Sequence, residues 1–359
     1  MPHSVRDIAR LTGLVAEGAL DLEVERPAEP QDAGPRDLAL AMSEDYAAAV
    51  KAGQARAAIL WEGADWRALG LEAALFAPRA RVALAAVGEM FAPEPEIAAG
   101  IHPTALVDAS ARIGADVGIG AYAIIGAGAE IGDGCRIGAH ASLARGTRLG
   151  AGSRLADGVR IGLGVTIGER AIVQANAVIG ADGFSYVTPE RGSVESAKRE
   201  GRIEDDARNT QGLRRIASLG GVEIGNDVEI GAGTCIDAGT IAPTRIGHGT
   251  KIDNLVQVGH NCQIGASCMI CGHVGLAGSV KVGDRAVLGG KVGVGDHLEI
   301  GEDAVLAGGS LVGSNIPARS ISVGVPAVPR DQFFRREMAQ RRLPKLVEQV
   351  REIRAKLGL

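Results

Sequence analysis

Apolar residues recur along most of this chain with a period of six, which is neither the 3.6 of a helix nor the 2 of an isolated strand. Stepping by six from Ile101 meets Val107, Ile113, Ile119, Ile125, Ile131, Ile137, Leu143, Leu149, Leu155, Ile161, Ile167, Val173 and Ile179, all of them Ile, Leu or Val. The pattern resumes at Ile224, Ile230 and Ile236, slips by four residues across Ile241–Thr244, then runs without a miss from Ile246 to Val312. Two residues before the aliphatic position stands a small or β-branched one, as at Ala105, Ala111, Val117, Ala123, Ala129, Cys135, Ala141 and Thr147. Strand side chains alternate faces, so both positions point inward. Glycine commonly follows the aliphatic residue, where a tight corner is expected to need positive φ. Three hexads per turn predict a triangular prism of short parallel strands, each paired with the coils above and below.

Three segments fall outside the repeat. Residues 1–100 predict a small α/β domain, with one helix in Ser4–Gly13 and another in Ser43–Gly53, the latter N-capped by Ser43. Prolines 93, 95 and 103 mark a linker into the prism, which is expected over 101–328. A polar excursion over 181–220 interrupts it, beginning with Phe184 and Tyr186, two of only three Phe, Tyr or Trp residues between 101 and 328. Long loops inside compact domains are functional or disordered. Residues 329–359 turn helical, and Leu343, Leu346, Val350, Ile353 and Leu357 are spaced for a helix seam or short coiled coil.

Composition narrows the picture. Aromatic residues make up only 3% while 52 residues are glycine, which suits a narrow aliphatic interior better than a bulky core. The net charge of −5 argues against general nucleic-acid binding, which needs a basic face to displace counterions. From residue 330 onward nine Arg or Lys face four Asp or Glu, so the tail is +5 and the rest −10. Such a basic helix implies an acidic partner. No apolar run approaches the ~20 residues of a membrane span, and the N-terminus lacks the layout of a signal peptide, so a soluble cytoplasmic protein is expected. Five cysteines without a small secreted scaffold argue against a disulfide framework. Cys262, Cys268 and Cys271, with His260 and His273, invite a zinc reading. However, Cys135, Cys262 and Cys268 take the small inward position and Cys271 a corner, so the repeat accounts for them and no metal is expected.

Seven histidines remain: His3, His102, His140, His248, His260, His273 and His297. His260 follows the inward Val258 by two residues, at or just past a corner. There a neutral imidazole can take a proton from an attacking amine or hydroxyl. Gly278 lies one coil of 18 residues further on, about one strand spacing of ~4.8 Å away. Its unshielded amide would suit an oxyanion formed when a thioester is attacked. His297, two coils and one residue beyond His260, is expected on the same face at roughly 10 Å, where it could hold a phosphate or pantetheine group.

The strings KIDNLVQVGHN, GGVEIGNDVEIGAGTCIDAGTI, GADGFSY and SVGVPA, in this order of parts, resemble the UDP-3-O-acylglucosamine N-acyltransferases (LpxD) of lipid A synthesis along nearly the whole chain. The resemblance implies a left-handed parallel β-helix, a sense that spacing does not give because parallel crossovers are normally right-handed. It also implies a homotrimer with a uridine-binding-like N-terminal domain. The reaction implied is transfer of a 3-hydroxyacyl chain from the phosphopantetheine thioester of acyl carrier protein to the 2-amine of a UDP-3-O-acylglucosamine, with no other cofactor. By resemblance, His260 is the general base, Gly278 the oxyanion donor and His297 a supporting residue near the substrate phosphates, with Asn254 and Asp237 in matching motifs nearby. The acidic carrier protein supplies a partner for the basic tail. In the family an aromatic pair with an intervening Asn holds the uracil; LALAMSEDY places Leu40, Ser43 and Tyr46 there, and only Tyr46 keeps its type. The family's usual Arg after ID is Ala238, and its usual Ala before the histidine is Gly259. Phe184 and Tyr186 either contact substrate or anchor their loop. The alternatives are an acyltransferase for another UDP-amino-sugar such as a diamino variant, a γ-carbonic-anhydrase-like prism, and a non-catalytic scaffold.

Overall fold

The computed structural model describes residues 2–92, 97–189, 192–202, 212–324 and 327–358. The linker prolines 93 and 95, residues 190–191 and 203–211 of the excursion, and Val325–Pro326 of the SVGVPA string lie outside the described residues. The chain divides into two units, Met1–Pro95 and Glu96–Leu359.

In the first unit Ser4 Oγ accepts the Asp7 N–H and starts helix Val5–Thr12, which ends at Gly13 with φ 72°, a conformation glycine adopts without penalty. Strands Arg26–Ala28, Asp37–Ala41, Ala57–Trp61 and Ala73–Ala77 run parallel, with Val15–Gly18 antiparallel on the edge. Alternation along Asp37–Ala41 sends Leu38 into a cluster with Val5, Ile8, Ile59, Leu75 and Val87. Ala39 and Ala41 join Val50, Leu60 and Trp66 on the other face. Ser43 caps a short turn, Glu44–Tyr46, which leads into helix Ala47–Ala52.

The second unit is a left-handed parallel β-helix whose three parallel sheets hold, among the described residues, nine, eleven and ten strands. Ile119 pairs with Ile137, Ile125 with Leu143 and Ile131 with Leu149. The aliphatic column and the small column, including Ala123, Ala129 and Cys135, form one continuous core. Each buried Ile or Leu contributes roughly 1.5–3 kcal/mol. Ile101, expected to point into that core, is 51% exposed because its strand is the last in its sheet.

The corners depart from expectation. Except at Gly180 (φ 86°), where the excursion begins, the glycine after the aliphatic residue does not take positive φ; that falls on the third residue after the aliphatic one, as at Asp116, Tyr122, His140, Asn261 and Gly128. Glycine is required two residues earlier by close approach, since a Cβ on Gly126 would lie 2.7 Å from Arg145 N and one on Gly120 2.8 Å from Ala139 N. The next coil leaves no room there for a side chain.

Two interruptions change the register without breaking the column. Val178 pairs with Cys235 and Ile172 with Glu229 across the excursion. Cys235 in turn pairs with Gln257, across the four added residues. Both insertions leave the prism at one edge, after the paired strands Val178–Asp182 and Cys235–Ala238. Outside the prism, Arg112, Glu130 and Arg148 form an ion-pair ladder on one sheet, continued by Glu223–Arg245 and Lys281–Glu299. The tail is a single helix, Arg330–Leu357, with no buried residue and Pro344 inside it.

Candidate active site

His260 sits at the corner after strand Gln257–Val258, on the edge where both insertions leave. Its half-buried ring lies between two glycines. A Cβ on Gly183, at the start of the excursion, would be 2.7 Å from His260 Cβ, and one on Gly278, a coil further on, 2.7 Å from both Cε1 and Nε2. Neither glycine has positive φ, so what crowds an added side chain at both positions is the side chain of His260. Ser218 Oγ accepts the Gly183 N–H at 2.9 Å. Asp182 pairs with Arg215 at 2.6 Å, and Tyr186–Val187 runs antiparallel to Arg214–Arg215. The two stems of the excursion thereby hold Gly183 in place.

The other side of the imidazole meets the four-residue lengthening. His260 Nδ1 is 3.0 Å from Asn261 Oδ1. The same Oδ1 accepts from Thr240 N at 3.1 Å and Thr240 Oγ1 at 2.9 Å, while Nδ2 donates to Ala242 O at 3.0 Å. Asn261 N donates to Thr244 Oγ1 at 2.9 Å. Asp237, 9% exposed on the adjacent strand, has its carboxyl pushed up by burial, opposed by a hydrogen bond from Gln257 and by the nearby His260.

Three family models match this unit: bacterial transferase hexapeptide (six repeats) over residues 243–278, hexapeptide repeat of succinyl-transferase over 279–314, and GMPPB C-terminal domain over 101–184. Over 227 residues the chain is 59% identical to a Ruegeria pomeroyi protein named UDP-3-O-acylglucosamine N-acyltransferase, covering 63% of this chain and 62% of that one. Over that stretch the two proteins are homologous. A Paracoccus denitrificans protein of the same name is 52% identical with the same coverage. The chain thus spans a little under two thirds of the length of these relatives. An Arabidopsis UDP-N-acetylglucosamine acyltransferase structure superposes with a TM-score of 0.52 at 26% identity, over 63% of this chain and 71% of that one.

His297 lies exposed on the same edge, its backbone N–H donating to Gly278 O at 3.1 Å. Asn254 stands at the corner one strand before His260, and its Oδ1 accepts the Ala232 N–H at 2.6 Å. Asp133, Asp157 and Asp284 cap Ala115, Ala139 and Ala266 in the same way, so Asn254 repeats a structural device. Phe184 and Tyr186 meet edge to face at 5.0 Å and are 86% and 43% exposed. Leu40, Ser43 and Tyr46 belong to the first unit: Leu40 packs against its core, Ser43 Oγ accepts the Asp45 N–H, and Tyr46 is exposed.

Cys135, Cys262 and Cys268 are buried, and burial pushes the Cys262 thiol up to about 11. Among the described residues no three His, Cys, Asp or Glu side chains gather as a metal site. Gly183, Ser218, Thr240 and Asn261 were not read from the sequence as site residues. The one visible signal was the slip of four immediately before the His260 coil.

Proposed function

We propose that this chain is an N-acyltransferase of lipid A synthesis, moving a 3-hydroxyacyl chain from acyl carrier protein to the 2-amine of a UDP-3-O-acylglucosamine. The observation that carries the reading is the imidazole of His260, seated between the backbones of Gly183 and Gly278, on a prism homologous to enzymes of that name. The amine nitrogen attacks the thioester carbonyl, the C–N bond forms, and His260 takes the amine proton. The tetrahedral oxyanion is stabilised at the Gly278 backbone. Collapse breaks the C–S bond, and the proton passes from His260 to the departing pantetheine sulfur.

On this reading His297 and Asp237 line the substrate on the same edge. Asn254, Phe184 and Tyr186 contribute to the acceptor pocket, and Leu40, Ser43 and Tyr46 make a weakened uracil site. The protein works as a cytoplasmic homotrimer, and its basic tail helix engages the acidic carrier protein. No helix among the described residues is long and apolar enough to cross a membrane.

The test is to offer purified protein a panel of 3-hydroxyacyl carrier proteins with UDP-3-O-acylglucosamine or its 3-amino analogue. Amide formation with release of one carrier thiol per product is expected. Preference for the analogue would reassign the acceptor, and no N-acylation with any donor would sink the proposal. His260→Gln should lower kcat by about 10²-fold or more, the usual contribution of a general base.

A further inference from the structure

We infer that Asn261 is the positioning residue of this site: it fixes the tautomer and ring plane of His260, and the four residues added to its coil serve to hold it. The inference rests on the reading of His260 as the base. The orientation of the Asn261 amide is set by groups that have no choice of role. Thr240 N–H can only donate, and it meets Oδ1 at 3.1 Å; Ala242 O can only accept, and it meets Nδ2 at 3.0 Å. The atom 3.0 Å from His260 Nδ1 is therefore an acceptor, so Nδ1 carries the hydrogen and the lone pair lies on Nε2. That nitrogen is the one against Gly278, where the oxyanion is proposed to form.

The added residues explain how such a bond is available. Thr240 and Ala242 lie in the lengthened corner and Thr244 opens the strand that follows it, Thr244–Ile246, and these three supply the hydrogen-bond partners of Asn261 other than His260. An ordinary corner of the prism has no such loop. Asn261 also stands at φ 62°, a left-handed conformation that Asn tolerates better than most residues. An amide orients the imidazole without adding charge to it. Asp237 on the adjacent strand is a titratable group that interacts with His260; Gly183 and Gly278 bring no charge.

The deciding measurement is ¹⁵N spectroscopy of histidine-labelled full-length protein at a pH where the ring is neutral, with His260→Gln giving the assignment. The Nδ1–H tautomer is expected. Asn261→Gly keeps the left-handed backbone while removing the amide. It should mix the tautomers and lower kcat by about 10²-fold with KM changed less than about threefold. Asn261→Asp should restore the tautomer and most of kcat, and move the acid limb of kcat/KM to higher pH, because a carboxylate beside the ring favours imidazolium. An Nε2–H tautomer in the unmutated protein overturns the inference. So does an Asn261→Gly protein that is folded with unchanged tautomer and kcat. The expected tautomer in a protein that acylates nothing would support the orientation of His260 and overturn the acyl-transfer reading instead.

Discussion

Glycine does two different jobs in this chain, and alanine substitution separates them. At Gly278 the added Cβ would lie 2.7 Å from the His260 ring on a backbone any residue can adopt, so the ring shifts and the coil does not. Gly278→Ala should lower kcat about 10²-fold, the cost of a displacement near 1 Å, with a melting temperature within a few degrees of the parent. At Gly126 the Cβ would meet the Arg145 backbone. Gly126→Ala should cost about 1–3 kcal/mol in urea unfolding. The thiols divide in the same way: of five free cysteines three are buried and two, Cys235 and Cys271, half-buried. A native thiol titration should count at most two, and all five after unfolding in guanidinium. In the first unit, Asp37 accepts from Arg26 Nε at 3.0 Å and Gly34 N at 2.9 Å, which hold its carboxyl below the ordinary carboxylate range. A carboxyl depressed in the folded state contributes stability that is full above its unfolded pKa and is lost as pH falls through the folded one. Asp37→Asn should therefore melt lower at pH 7 yet lose less on acidification below about pH 4, as thermal scans across pH would show.

At the scale of elements, the strands were legible because the hexad is a period no other element uses, and the columns from Ile119 to Ile179, from Ile224 to Ile236 and from Ile246 to Val312 lie where stepping by six places them. The corners were only half legible. Sequence showed glycine there, but a left-handed turn and a close approach both select glycine, and only the backbone tells which applies. His260 and Gly278 came from counting 18, which works wherever the coils are regular. Asn261 could not be found that way: its partners Thr240 and Ala242 stand 21 and 19 residues before it, inside the lengthening that spoils the count. Gly183 reaches His260 from the start of the excursion, a contact that no spacing announces. Leu40 shows the converse, since a motif match gives a side chain a role while alternation along Asp37–Ala41 turns it toward the core.

The prism as a whole is close to one-dimensional, each coil touching only its neighbours, so its stability is a sum of local interfaces. The first coil has a neighbour on one side: Ile101 is 51% exposed where Ile119, a coil further on, is 2%. Hydrogen exchange followed by mass spectrometry should show the least protection over residues 100–113 and a rise from Ile119 inward; uniform protection along the prism would contradict nearest-neighbour stacking. The same property bears on the excursion. Hydrogen-bonded partners across it are 57 residues apart where ordinary coils stand 18 apart, so 39 residues have been interpolated, and Ile179 still falls on Ile236. The chain returns to the column it left, like a text resuming after a parenthesis. Evolution can therefore rewrite the middle of that passage, in length or in content, without retuning the pitch of any coil, provided its opening words still bring Gly183 to the histidine.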